Sequence, residues 1–180
     1  MSAAPRPALV DEERRTRMQQ QLDRLHGVAF LLGSLAHASE KNLGQSSLSI
    51  GMLAGKKFGM EAVEGTEQTD DPEKAVEILQ KALAERGIVW EFEPFLGERD
   101  TLLEERDGKK VMRLVFTTCM VRNALFRYGH EQKQSLCYMS HGVFAGAMEK
   151  VMPGTKVHLE IIHAGPNACL KEMEIEEVEQ

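Results

Sequence analysis

Three cysteines and two histidines in the C-terminal third are the residues best equipped for chemistry: Cys119, Cys137, His141, His163 and Cys169. Thiolate and imidazole together suit zinc or iron. Cys137, His163 and Cys169 make a candidate ligand set, with His141 or Cys119 as a fourth donor, or an open position for substrate or water. The same residues permit nucleophilic catalysis. Cys137 opens a predicted helix, whose dipole favours a thiolate, and His141 lies one turn further on the same face. An imidazole beside a thiolate activates it. The plain reading is that the cysteines fill a core and His163 bonds to backbone. The spacings match no zinc finger, and no P-loop, Gly-x-Gly-x-x-Gly, His-Glu-x-x-His or Gly-x-Ser-x-Gly motif occurs.

These residues need a hairpin and a helix to position them. Lys156 to His163 and Cys169 to Glu176 read as two strands across a five-residue turn. Alternation puts Val157, Leu159, Ile161 and His163 on one face, and Cys169, Lys171, Met173 and Ile175 on one face of the return strand. His163 and Cys169 would then oppose each other at the end of the ladder. Leu136 to Met152 reads as a helix ended by Pro153-Gly154. On it, Met139, Phe144 and Met148 are the candidate walls of an adaptable apolar pocket, with core filling as the plainer reading. Arg122 and Arg127 suit either a bound carboxylate or solvent. The acids from Glu172 to Glu179 read as a solvated strand edge.

Upstream, Asp11 to about Asn42 reads as a long helix and Ser46 to Ala62 as a second. Gly51, Gly55 and Gly59 fall four apart on the second. Each costs up to about 1 kcal/mol relative to alanine, so a close helix partner is expected, in this chain or in a second subunit. Asp71-Pro72 starts a third helix that Arg86-Gly87 ends. Val89 to Phe95 reads as a strand. Thr101 to Thr118 reads as a hairpin turning at Asp107-Gly108, and Met120 to Tyr128 as a short helix. Helices first, then strands with one helix inserted, indicate an α+β fold with a mainly antiparallel sheet.

The totals fit one domain: 180 residues, 42% hydrophobic and 28% charged. Residues 1–10 read as a mobile tail and 11–180 as a single ligand- or metal-binding domain. A net charge of -6, with only short basic clusters, argues against nucleic-acid binding. The apolar run from Gly27 to Ala38 is too short to span a bilayer. Met1 to Ala8 lacks the apolar core of a signal peptide, and the cysteine count is odd. A reducing, cytoplasmic setting is expected.

The stretch from Ser135 to Cys169 resembles the end of a 4-vinyl-reductase domain. Cys137, Gly142, Gly146, Glu160, Gly165 and Cys169 stand where that family has its opening cysteine, small-residue run, strand glutamate, glycine turn and last cysteine. The likeness extends over about residues 45 to 176. Tyr138 stands where the family has histidine, and His163 replaces a cysteine, which keeps a metal-ligand type. The resemblance implies a domain that binds small apolar or aromatic ligands, with metal in some members. It implies a sensor, carrier or assembly factor; the homodimer alternative comes instead from the Gly51-Gly55-Gly59 face, if its partner is a second subunit. A resemblance to L-2-amino-thiazoline-4-carboxylic acid hydrolases keeps a hydrolase open, using Cys137 or a metal-activated water.

Overall fold

A computed structural model describes residues 12–119, 121–122 and 133–178. Its elements run α1 (Glu12–Leu43), α2 (Gln45–Ala62), α3 (Pro72–Glu85), β1 (Glu91–Pro94), β2 (Leu103–Arg106), β3 (Lys109–Thr118), α4 (Ser135–Val151), β4 (Thr155–Ala164) and β5 (Cys169–Glu177). This is the expected α+β arrangement. Residues 1–10, expected to form a tail, lie outside the described residues, as does all but Val121 and Arg122 of the short helix expected at Met120 to Tyr128.

The sheet is antiparallel, in the order β1-β3-β5-β4, with β2 extending the β1 edge along β3. Local chemistry sets the boundaries. The Asp71 carboxylate accepts from the Glu73 and Lys74 N–H groups and caps α3, a contribution of about 1 kcal/mol. Asp107 and Gly108 both take positive φ, as a type I′ turn between β2 and β3 requires.

One sheet face is apolar and covered by helices. Phe92, Phe116 and Phe144 pack ring to ring there with Trp90. The other face carries charge. Glu172 and Glu174 pair with Arg106, Arg113 and Lys109. The glutamates of β5 are therefore not on a strand edge. β5 lies between β3 and β4, and its alternation sends the acids to the polar face.

The glycine face of α2 meets α4 of the same chain. A Cβ on Gly51, Gly55 or Gly59 would fall 2.6, 1.9 or 2.0 Å from the carbonyl oxygens of Ser135, Met139 and Val143. Gly142 and Gly146 do the reverse, presenting themselves to the carbonyls of Met52 and Lys56. The intrachain alternative is thus the one realised, and this face is not free for a dimer. Lys56 pairs with Glu149 across the seam at 2.5 Å. The Glu40 carboxylate accepts from the Ser135 N–H at 3.0 Å, so the end of α1 caps α4. Elsewhere α1 leaves Leu25, Val28, Leu31, Leu32 and Leu35 exposed along one side. No helix among the described residues is long and apolar enough to cross a membrane.

Candidate functional site

β5 brings two of the sequence candidates into one neighbourhood and adds a residue of a different kind. Cys169 and Lys171 lie on its covered face, as alternation requires, and both are buried. Cys169 sits opposite Phe116 of β3, and Cys119 follows three residues later. Cys137 enters from the first turn of α4. Cys119, Cys137 and Cys169 are close enough to Lys171 that each favours its charged form. Burial outweighs them and pushes the lysine down from its ordinary value.

The ammonium lies 4.4 Å from the Phe116 ring centre and 5.6 Å from that of Trp90. Arg122 is also buried, at 6% exposure. Its guanidinium donates to the carbonyl of Phe116 at 3.3 Å and to that of Thr117, while its Nε has no partner among the described residues. Sequence reasoning had weighed Arg122 but passed over Lys171 and Trp90. The signal for the lysine was available: it alternates with Cys169, Met173 and Ile175 on a face that must be inward.

Burial governs the thiols too. It pushes Cys137 up, against backbone hydrogen bonding at Lys133, which favours the thiolate. Cys169 is raised by burial as well. The helix start expected to activate Cys137 is therefore outweighed by desolvation.

His141 points elsewhere. It lines a separate cleft of about 380 Å³ with Met52, Tyr138 and His158. Burial first, then Lys171 and His158, lower its pKa to about 3. Its Nε2 is buried without a hydrogen-bond partner among the described residues.

His163 does not face Cys169. The β4–β5 register shifts between Ile161 and His163, so that Ile161 pairs with Lys171 but His163 with Leu170. That bulge moves His163 to the opposite face, where it is exposed, and puts Ala164 opposite Cys169. Of the four expected ligands, only Cys137 and Cys169 share a neighbourhood. Among the described residues no three His, Cys, Asp or Glu side chains are grouped to hold a metal ion.

An apolar cavity of about 180 Å³ borders the cluster, lined by Phe58, Trp90, Val121, Leu136, Met139 and Val143, among others. The Trp90 indole N–H is buried with no partner among the described residues. Met139 is among the residues that line this cavity. Phe144 and Met148 are fully buried core, turned onto the sheet rather than into the cavity. A larger cleft of about 740 Å³, along Gln68–Asp70, Met152–Thr155 and Ile175–Val178, holds none of the buried cations, thiols or aromatic rings.

No protein-family model matches the chain, and no curated protein does. Solved structures do match. One is the phenol-responsive sensory domain of the transcription activator PoxR with phenol: 14% identity, TM-score 0.59, covering 81% of this chain and 73% of that one. Another is a trafficking protein particle complex subunit 3 from Naegleria fowleri, covalently bound to palmitic acid: 14% identity, TM-score 0.55, covering 86% and 96%. The likeness is one of fold.

Proposed function

We propose that the protein is a small-molecule-binding module of the 4-vinyl-reductase type, acting as a sensor or carrier. The observation that carries this reading is the apolar cavity of about 180 Å³ between α2, α4 and the start of β1. An apolar cavity of about 150 Å³ is large enough to take up benzene. The Trp90 ring forms part of the cavity wall, so an aromatic or aliphatic body meets an apolar surface there. The phenol and palmitic acid named for the two structures of similar fold are apolar molecules with oxygen heads, which fits this reading.

Trp90 is the single tryptophan of the chain and lines the cavity, so its fluorescence reports occupancy. Titration with small aromatic alcohols, amides and acids is expected to give saturable quenching. Leu136→Trp, which fills the cavity, is expected to abolish binding of the same compounds by calorimetry. Binding that survives this substitution would place the ligand elsewhere.

A further inference from the structure

α1 carries a seam that the other described residues leave exposed. Its domain-facing side is the line of Ala29, Gly33 and Ala36, which are partly or fully buried. About a quarter turn away run Met18, Leu25, Val28, Leu32 and Leu35, all between 52% and 65% exposed. Counting Gln21, their spacing alternates three and four residues from Met18 to Leu35, and Ser39 and Asn42 continue it. That is the a/d pattern of a coiled coil, narrower than the stripe by which a helix beds onto a globular core.

The polar members of the seam tolerate a partner. Ser39 and Asn42 donate to the carbonyls of Leu35 and Ala38 one turn back, at 2.8 and 2.7 Å. Gln21 is a polar residue in an otherwise aliphatic stretch, a device that fixes register at some cost in stability. Residues 15–25, the N-terminal part of the helix, are exposed on every side. A helical segment of that length standing alone is marginal in water, and a partner helix stabilises it.

We propose that α1 pairs with α1 of a second copy of this chain, the two seams meeting knobs into holes about a two-fold axis. A helix of the same spacing is the complement of an a/d seam, and a second copy brings one at equal concentration. Gln21 and Ser39 flank the four aliphatics, so two copies meet aliphatic on aliphatic whichever way they run. With 32 residues α1 is about 48 Å long, and a strip about 10 Å wide along it covers on the order of 500 Å² per copy, about 1,000 Å² for the pair. That reaches the size a specific interface needs, before Leu31, 68% exposed beside the seam, is added. The seam is separate from the apolar cavity, so its test is independent of the ligand-binding reading.

The test is sedimentation equilibrium of the full chain. Wild type is expected to sediment as a dimer across the micromolar range. Leu32→Asp puts a carboxylate into the seam of both copies and is expected to weaken the dimer at least about a hundredfold. Leu25→Asp, further from the domain body, is the second variant should the first unfold. Val89→Asp changes a similarly exposed residue outside α1 and is expected to leave the mass unchanged. Amide exchange in α1 is expected to slow with rising protein concentration in wild type and not in the seam variants. A monomeric wild type would overturn the proposal. So would a dimer that both seam variants leave intact, or one that Val89→Asp weakens as much as they do.

Discussion

The Lys171 ammonium sits 4.4 Å from the centre of the Phe116 ring, in a neighbourhood whose only anion-forming side chains are cysteines among the described residues. A buried cation with so little compensation costs stability, and its partner rings return only part of that. Lys171→Met keeps the length of the side chain and removes the charge. It is expected to stabilise the ligand-free protein by roughly 1–4 kcal/mol in urea unfolding. A loss of stability would mean that the ammonium is properly satisfied in the folded state. A gain would mark Lys171 as a group kept at a cost, which binding sites often show.

The glycines of α2 supply a second test. Alanine favours a helix over glycine by up to about 1 kcal/mol. At Gly27, exposed in α1 with nothing within 4 Å of an added Cβ, Gly27→Ala is expected to raise the unfolding midpoint accordingly. At Gly55 the same methyl would fall 1.9 Å from the Met139 carbonyl oxygen. Backbone cannot yield as a side chain tip does, so α2 and α4 must separate. Gly55→Ala is expected to destabilise by roughly 1–3 kcal/mol or more despite its better propensity. Equal effects at the two positions would contradict this packing.

His141 sets a pH dependence. Its pKa is about 3 in the folded protein against 6.5 for an ordinary histidine, because burial and Lys171 disfavour the imidazolium. The unfolded chain therefore binds the proton first as pH falls. Stability from this group is undiminished above about pH 6.5. It then declines towards pH 3, at a slope approaching about 1.4 kcal/mol per pH unit. His141→Leu removes both the slope and the orphaned Nε2. Urea midpoints at pH 7, 6 and 5 should converge less steeply in the variant than in wild type. Parallel lines for the two proteins would show that His141 is not the group responsible.

Much of the fold was legible because the signals are local. The Asp71-Pro72 start of α3, the Asp107-Gly108 turn and the Pro153-Gly154 stop act within a few residues and recur in the structure where the sequence puts them. The glycine spacing announced a close partner but not which one, since complementary spacing at Gly142 and Gly146 becomes meaningful only once both helices are in place. The site was less legible. Strand parity fails at a single extra residue, and the bulge between Ile161 and His163 turns the histidine outward. Lys171 and Trp90 are ordinary in sequence. Their interest arises from burial without compensating partners, a property of the tertiary arrangement.

Burial of the cysteines bears on chemistry at this site. At neutral pH a nucleophilic cysteine must be largely thiolate or be easily deprotonated. Burial pushes Cys137 and Cys169 the other way, and the imidazole of His141 lines a different cleft. An upward move lowers the thiolate fraction near pH 7. Iodoacetamide labelling followed by peptide mass spectrometry is therefore expected to be slower at both residues than for free cysteine, with rates still rising above pH 9. Fast labelling of Cys137 at pH 7 would restore the nucleophile. Elemental analysis of protein purified without oxygen separates the remaining case. One equivalent of zinc or iron, lost in both Cys137→Ala and Cys169→Ala, would require His163 to turn in from the outer face and the two thiols to ionise on the metal.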